Sequence, residues 1–429
     1  MLTAAWSLIA FVSTFALGYL VIVAAASVAG ALARGGRRER AMEAYEALAV
    51  SRFTIPVSVI VAADADAKGL DRCIRSLLGQ KYPELEVIVI ASGVGDEALD
   101  SLKRTWDLAP KEVFYRRNLP TAQVHRIYDS GADTRLMVVE KADAGTADAL
   151  NCGVSLARYR YVVTVSPDVE GDADALLRLM TPALRDPAAV LAVTSYVERR
   201  GREGTAGQGA WLAAADDYQR LSSVRSWMAS RLAWTQLRCG LPPREAVIAW
   251  RRDAILDLDG FSSVSADAEL DLLVRLQTSQ GPTGAGRVVR TSEVFGSAEA
   301  LTIAQHAQMT SRRQRAVVEA IRTFRKAPAV ASRLTLMLVL GIELLTPAAQ
   351  ALTLAAAIAG ALGGWLAWSS PFYAFLMLTF GYALVSASAL LLRGGTPDAP
   401  AGADLVRLLV RAPLEFIVYR PVLALQRLR

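Results

Sequence analysis

Small polar and acidic side chains follow four short apolar runs of the sequence, and such side chains can bind a metal ion or a nucleotide. The four sets are Asp64 with Asp66, Ser92 with Gly93, Asp143 to Gly145, and Ser166 to Asp168. Any one set can equally well cap the helix that follows, because aspartate and serine are common helix caps. Four such sets at one edge of a sheet would instead favour a ligand site.

The apolar runs themselves predict the elements that position these residues. They read VSVIVA from 57, EVIVIA from 86, LMVVE from 136 and YVVTV from 161, and a helical pattern follows each one. Continuous β-branched runs of this length are typical of strands buried on both faces. Their alternation with helices predicts an α/β fold with a doubly wound, mostly parallel sheet, in which ligands bind at the carboxyl ends of the strands.

Membrane segments are predicted at both ends of this domain. The chain is 53% hydrophobic, and its first charged residue is Arg34. The segment 1–34 is long enough to cross a bilayer, and arginines follow it rather than precede it, so a transmembrane helix is favoured over a cleaved signal peptide. The positive-inside rule then places the N-terminus outside and the following domain, 51–332, in the cytoplasm.

The C-terminal region predicts further membrane contact. Glu343 is the only charge in 334–392, which is long enough for two spans with a turn near Gly363. Glu343 could be a functional intramembrane carboxylate or could simply lie at the interface. The tail, 403–429, mixes leucine and valine with five arginines and predicts a basic amphipathic helix on the inner leaflet, or alternatively an irregular tail.

Composition excludes several other classes of site. The pI of about 9.3 has a membrane explanation, and no groove-reading motif indicates nucleic acid. Cys73, Cys152 and Cys239 are far apart, which predicts free buried thiols in a reducing compartment. His125 and His306 are the only histidines and are isolated, so no histidine-based zinc site or catalytic triad is expected.

Two segments carry a family resemblance. PVSVIVAADADAKGLDRCIRSLLGQKYPELEVIVIASG and EKADAGTADALNCGVSLARYRYVVTVSPD resemble the membrane-anchored family 2 glycosyltransferases related to cellulose, chitin and hyaluronan synthases. The resemblance implies a GT-A fold and transfer of a sugar, with inversion, from a nucleotide diphosphate donor to an acceptor hydroxyl. It also implies Mg²⁺ or Mn²⁺, held by a D-x-D motif, to neutralise the leaving diphosphate.

The donor-side motifs of that family are substituted in this chain. D-x-D reads Ser166-Pro167-Asp168, which leaves Asp168 as the expected metal ligand. Ser92 stands where an aspartate would hold the nucleotide base, and N-G-G-K has become 143–146. Asp66 and Asp148 remain as carboxylates for a nucleotide, although an exposed helix surface would suit Asp148 equally well.

The catalytic-side motifs are substituted as well. The E-D pair that would supply the general base aligns with Ala268-Glu269, so Glu269 keeps the acid with one more methylene. Asp267 and Asp271 leave the register open, and a solvated acidic helix start is the alternative. Q-x-x-R-W aligns with 309–313 and retains only Arg312, so the tryptophan that would stack on an acceptor sugar is lost.

The sequence therefore supports two main hypotheses. The first is a multi-pass inner (plasma) membrane protein of cell-surface polysaccharide synthesis with a degenerate donor site, a pseudoenzyme acting as subunit or scaffold of an active synthase. The second is an active inverting glycosyltransferase that uses Asp168 and Glu269 with a nucleotide-sugar or lipid-phosphate-sugar donor and a polysaccharide or lipid acceptor. A transport role centred on Glu343 is a third possibility, for which two or three spans are few.

Overall fold

A computed structural model describes most of the domain predicted at 51–332 and part of the C-terminal region. The described residues are 51, 54–65, 69–202, 210–236, 246–279, 286–324, 350, 352–394 and 402–428. The predicted span 1–34, Asp66, Cys239 and Glu343 lie outside them, so the predictions made for these residues stay predictions.

Among the described residues, the core of the domain is one sheet of ten strands. These are β1 (Val57–Ala63), β2 (Leu85–Ser92), β3 (Leu108–Pro110), β4 (Val124–Ser130), β5 (Leu136–Lys141), β6 (Tyr161–Val165), β7 (Val169–Gly171), β8 (Val190–Arg200), β9 (Ile248–Arg251) and β10 (Arg287–Glu299). Their spatial order is β3-β4-β5-β2-β1-β6-β9-β8-β10-β7. The four strands predicted from the apolar runs are β1, β2, β5 and β6, and all four are confirmed.

The sheet is mixed rather than mostly parallel. Strands β5, β2, β1 and β6 are parallel neighbours, as predicted, and β8 pairs in parallel with β10. Every other pairing is antiparallel, including both edges of β9, which lies between β6 and β8. The prediction of a mostly parallel sheet is therefore wrong for the outer strands, because a short strand inserted from later in the chain reverses the direction at β6.

Helices cover both faces of the sheet. They are α1 (Leu70–Leu78), α2 (Asp96–Thr105), α3 (Thr146–Leu156), α4 (Ala175–Arg185), α5 (Ala210–Gln236), α6 (Arg252–Leu256), α7 (Ala268–Ser279) and α8 (Ile303–Phe324). Val59 and Val61 of β1 pack on the α1 and α4 side, whereas Ile60 packs on the α3 and α7 side. This burial on both faces explains why the central strands are apolar at most positions.

A third apolar cluster joins the domain to the C-terminal helices. These helices are α9 (Leu352–Leu362), α10 (Ser369–Gly394), α11 (Gly402–Leu414), a π-helical segment (Glu415–Tyr419) and α12 (Arg420–Leu428). Tyr218 of α5 packs with Leu390 of α10 and with Leu408 and Tyr419 of the tail. Within the described residues, one helix, Ser369–Leu391, is long and apolar enough to cross a membrane, and Leu352–Leu362 is shorter. The predicted number of spans is not confirmed.

The tail presents its arginines to the protein. Arg407 forms an ion pair with Asp217 of α5 at 3.2 Å, and Arg411 pairs with the same carboxylate. Val406 and Val410, about 100° around the helix from these arginines, are apolar and exposed. The predicted basic amphipathic helix on the inner leaflet stays a prediction, and in the structure these two arginines contact the domain.

Two of the three predicted free thiols are described. Cys73 and Cys152 are buried and unpaired, as expected. Burial raises the pKa of the Cys152 thiol to about 11. Both thiols therefore remain protonated at neutral pH and serve as small core residues.

Candidate functional site

The parallel strands bring the predicted polar residues to one edge of the sheet. Ser92 is the last residue of β2, and Asp143 follows β5. A hydrogen bond of 3.3 Å joins Ser92 Oγ to Asp143 Oδ1. Gly69, at the start of α1, lies close to the backbone of Pro167 and Asp168 after β6. The convergence expected from the fold is therefore present for the described members of the set.

Asp168, the expected metal ligand, is held by an arginine. Nη1 of Arg199, at the end of β8, lies 2.6 Å from Asp168 Oδ2 and also donates to the carbonyl oxygen of Glu299 at 2.7 Å. Arg199 is only 7% exposed. Its positive charge thus stands beside the one carboxylate that survives in the D-x-D segment, and it ties that carboxylate to the ends of β8 and β10.

More ion pairs surround this contact. Arg72 of α1 lies 2.9 Å from Glu299 and 3.4 Å from Glu170 of β7. Arg200 lies 2.6 Å from the same Glu170 carboxylate. Acidic and basic side chains therefore alternate at this edge, and each carboxylate near Asp168 already has a cationic partner within the protein.

The residues at this edge do not fit a divalent cation. Magnesium and manganese need several oxygen ligands, usually including more than one carboxylate. Ser166 supplies no charge, and Asp168 is committed to Arg199. Among the described residues, no group of three histidine, cysteine, aspartate or glutamate side chains is placed to hold a metal ion. The metal site that the family resemblance implies is not built by these residues.

Asp143 brings a carboxylate to the position where the sequence lacks one. Its Oδ1 accepts hydrogen bonds from Ser92 Oγ and, at 3.0 Å, from the backbone N–H of Gly145. Gly145 has φ 85°, which allows the loop to turn back over the end of β2. The exposed Asp143 therefore neighbours Ser92, and the acid that the sequence comparison counts as lost is partly replaced from the next loop.

Asp148 forms a hydrogen bond and an ion pair within the protein. One carboxylate oxygen accepts the backbone N–H of Ala122 at 2.8 Å, and the other pairs with Lys141, whose side chain is fully buried. This pair joins the end of β5 to the first turn of α3. Asp148 is therefore mostly buried and does not lie on the exposed helix surface that was the alternative, and its role toward a nucleotide stays a prediction.

Glu269 lies in the first turn of α7 and contacts the interior of the sheet. Asp267 caps the helix by accepting the N–H of Leu270 at 3.0 Å. The Glu269 carboxylate is hydrogen-bonded to the hydroxyl of Thr164 on β6. Trp250 Nε1 donates to the same hydroxyl oxygen at 3.1 Å. Since an indole N–H can only donate, Thr164 keeps its own proton for an acceptor such as Glu269.

The surroundings of Glu269 bring its acidity close to neutral pH. Burial raises the pKa of Glu269 to about 7; the Thr164 hydrogen bond acts in the opposite direction, and the nearby charge of Asp267 adds to the rise. A carboxyl group with this pKa can accept a proton efficiently at neutral pH. The alternative of a solvated acidic helix start does not describe Glu269, which is half-buried and hydrogen-bonded.

Helix α8 holds the loop that precedes α7. The carboxylate of Glu319 accepts hydrogen bonds from Ser265 Oγ at 3.1 Å and from the N–H of Ala266 at 3.2 Å. Arg313 is buried and lies 3.5 Å from Asp267. Arg312, the arginine chosen from the Q-x-x-R-W register, is exposed. The arginine that faces the site is therefore its neighbour, Arg313.

Comparisons with known proteins agree with the fold. Residues 58–225 match the model of Glycosyl transferase family 2. The mannosyltransferase PcManGT from Pyrobaculum calidifontis, solved with GDP-Man and Mn²⁺, is 17% identical with a TM-score of 0.50, over 92% of this chain and 99% of that one. TarS 1–349 of S. aureus, solved with UDP-GlcNAc, is 11% identical with a TM-score of 0.42, over 85% of this chain and 92% of that one. No curated protein matches the chain.

The matched region includes the strand ends at Ser92 and Asp168 but ends before α7. Glu269 and Arg313 therefore lie outside it, whereas Ser92 and Asp168 lie within it. At 17% identity the likeness to the mannosyltransferase concerns the fold alone. Residues 58–225 are thus similar to family 2 glycosyltransferases, and the mixed sheet shares the fold of the mannosyltransferase structure.

Proposed function

We propose that this protein is a membrane-bound, glycosyltransferase-like component of cell-surface polysaccharide synthesis whose donor site no longer uses a divalent metal. In this proposal it acts as a subunit or scaffold beside an active synthase. The observation that carries the proposal is the ion pair between Asp168 and Arg199. A metal ion at Oδ2 of Asp168 would have to displace the buried guanidinium of Arg199, which lies 2.6 Å from that oxygen.

The distribution of apolar surface supports a bilayer as partner. Among the described residues, most of the large exposed hydrophobic side chains lie in the C-terminal helices α9 to α12, including Trp365, Trp368 and Phe372. In the described part of the globular domain they are Phe114, Trp211 and Val264. An apolar patch confined to one part of a protein is typical of a surface that another apolar phase covers. With the arginines that follow 1–34, this favours an inner-membrane protein with a cytoplasmic domain.

A nucleotide sugar is the donor class to test first. PcManGT, which shares the fold, was solved with GDP-Man and Mn²⁺. In this chain the same edge of the sheet offers Ser92 with Asp143 for the nucleoside, but among the described residues no cluster of carboxylates is placed to hold the metal. We therefore expect a nucleotide to bind weakly and with little dependence on manganese.

An active inverting transferase is the second candidate, and Glu269 is the observation that favours it. Its position at the start of α7, its Thr164 partner and its pKa near 7 suit a general base. In such an enzyme, Glu269 would take the proton from an acceptor hydroxyl. The leaving diphosphate would then need stabilisation from residues other than metal ligands.

Polymer production in cells separates the two candidates. Deleting the gene should impair production if the protein acts through contacts, while Glu269→Gln should leave production nearly intact. Asp168→Asn combined with Arg199→Met removes the donor-edge pair without leaving a buried charge, and it should also be tolerated. A transferase would instead lose about a hundredfold to ten-thousandfold in rate without its base. Immunoblots at normal abundance are the control; if Glu269→Gln then matches the deletion, the protein is an enzyme.

A further inference from the structure

Two loops of the globular domain carry exposed apolar side chains. The Phe114 loop, 111–123, connects β3 to β4, and the Val264 loop, 257–267, precedes α7. Phe114 is 100% exposed and Val264 is 90% exposed, the two highest fractions among the described large hydrophobic residues. Covering such side chains with another apolar or interfacial phase lowers the free energy.

The two loops lie side by side on the face of the sheet covered by α3 and α7. A Cβ placed on Gly260 would lie 2.8 Å from Leu119 Cδ1, so the loops are in contact there. Val113 and Tyr115 pack against the apolar cluster of the same face, whereas Phe114 between them is exposed. Alternate burial of this kind indicates a segment with one side on the protein. The buried neighbours of Phe114 therefore fix its outward direction.

Helix α8 holds the Val264 loop and places cations beside it. The carboxylate of Glu319 accepts the hydrogen bond from Ser265 Oγ, next to Val264. Arg315 and Arg322 lie four residues before and three residues after Glu319, so they share its face of α8. Both arginines are exposed, and neither forms an ion pair within the described part of the chain. The apolar tip at Val264 therefore has cationic side chains close to it.

Arginines also follow Phe114 in its own loop. Arg116 and Arg117 are exposed, and among the residues that the structure describes neither has an ion-pair partner. The exposed acids of the two loops come before the apolar tips in the sequence; they are Glu112, Asp257 and Asp259. Each loop thus combines an exposed apolar side chain with a pair of arginines.

We propose that both loops contact the surface of a bilayer that contains anionic lipid. Phe114 and Val264 would lie among the headgroups, with the four arginines beside lipid phosphates. A guanidinium donates paired hydrogen bonds to phosphate oxygens, and apolar side chains next to basic ones are typical of segments that bind at the boundary of headgroups and acyl chains. An anionic leaflet attracts cationic segments, whereas a neutral leaflet lacks this attraction.

The position of α8 favours a bilayer over a partner protein. Only the segment 325–333 separates α8 from the region 334–392, so the last turn of α8 lies within roughly 35 Å of the first predicted span. That segment adds further cations, which are Arg325, Lys326 and Arg333. The two apolar tips are also separated by polar residues, whereas the centre of a protein interface is more apolar and depleted of charge. The contact presupposes the membrane location in the proposed function.

Spin labels on the full chain in lipid nanodiscs test the contact. Single labels are placed with Phe114→Cys and Val264→Cys in a Cys239→Ser background, because Cys73 and Cys152 are buried. Collisions of the label with oxygen, which concentrates in the bilayer, are compared with collisions with a water-soluble nickel complex. The discs contain either phosphatidylcholine alone or phosphatidylcholine with phosphatidylglycerol. Thermal melts check that each variant is folded.

We expect both loop labels to enter the anionic bilayer. Their ratio of oxygen to nickel collisions should be several-fold higher in the anionic discs than in the neutral ones. Arg116→Gln combined with Arg117→Gln should return the ratio at position 114 toward its neutral value, because the loop loses its charge attraction. The matched control is Ser101→Cys on α2, which is exposed and packs on the other face of the sheet. Its label should remain in water in both kinds of disc.

A label at Phe380→Cys, exposed on α10, separates failure of this contact from failure of the proposed function. If the Phe380→Cys label lies in lipid while both loop labels are as accessible to nickel as the Ser101→Cys label, the loops do not touch the bilayer. A loop ratio that is the same in both lipid compositions would also overturn the assignment, as would loop labels already immobilised in detergent, which would indicate contact between protein copies. If the Phe380→Cys label is itself in water, the membrane location is wrong.

Discussion

Replacing Glu269 with glutamine should change how the stability of the protein depends on pH. In the folded protein the Glu269 pKa is raised from 4.5 to about 7, mainly by burial. Between these two values the folded state holds a proton that the unfolded state has released. The free energy of unfolding therefore falls as the pH rises from 4.5 to 7 and stays low above 7.

The size of this effect follows from the two pKa values. Their separation corresponds to at most about 3 kcal/mol of stability, which is present below pH 4.5 and lost above pH 7. Glutamine has nearly the same volume and carries no charge at any pH. Glu269→Gln should therefore match the unmodified protein near pH 5 and be more stable than it at pH 8, by several degrees in Tm.

Thermal melts of the purified full chain between pH 5 and 8 measure this difference. Glu112→Gln is the control, because Glu112 is exposed. The control should follow the unmodified protein at every pH. If Glu269→Gln also follows it, or is less stable at pH 8, the carboxyl group is solvated and the general-base hypothesis loses its physical support.

Further predictions concern the core and the topology. Lys141→Met leaves Asp148 charged and buried without its partner. It should destabilise the protein by about 3–5 kcal/mol in denaturant titrations, and combining it with Asp148→Leu should reduce this loss of stability. Gly153→Ala places a Cβ 2.5 Å from Ile60 Cγ2 and should cost about 1–3 kcal/mol in the same assay. A reporter fused in the loop at Gly364 should lie outside the cell; a cytoplasmic signal would contradict the two-span prediction.

The sequence predicts the central sheet well because those strands have one physical signature. Val57–Ala63 and Tyr161–Val165 are buried on both faces, so most of their positions are apolar and the runs stand out. Strand β10 (Arg287–Glu299) is polar at many positions, and its pairing with β8 contains register shifts. No alternating pattern survives such irregularities. The part of the sheet beyond β6 therefore has no clear signal in the sequence.

Residues of the candidate site could be predicted from the sequence only where a motif identifies a single residue. Glu269 could be predicted because its sequence spacing from Arg275 matches a family motif. In the structure it lies in an environment suited to a general base. Arg199 has no such signal, because it meets Asp168 only once β8 is placed in the sheet, and the two are 31 residues apart. Thr164 and Trp250 look like core residues of strands, and their hydrogen-bonded chain to Glu269 depends on tertiary contacts.

Arg312 and Arg313 show the limit of motif alignment. The two are adjacent in sequence, yet on α8 one is exposed and the other is buried near Asp267. A shift of one residue turns a helical side chain by about 100°. A gapless alignment to a degenerate motif therefore cannot decide which of two adjacent arginines faces the site.

The central claim is that Arg199 occupies the position at Asp168 where a metal ion would bind. Calorimetric titration of the full chain with Mn²⁺ and uridine diphosphate tests it most directly. The ion pair predicts no manganese-dependent binding tighter than millimolar for the unmodified protein, and a gain when Ser166→Asp is combined with Arg199→Met. Micromolar, manganese-dependent binding by the unmodified protein that Asp168→Ala abolishes would contradict the claim and establish Asp168 as a metal ligand.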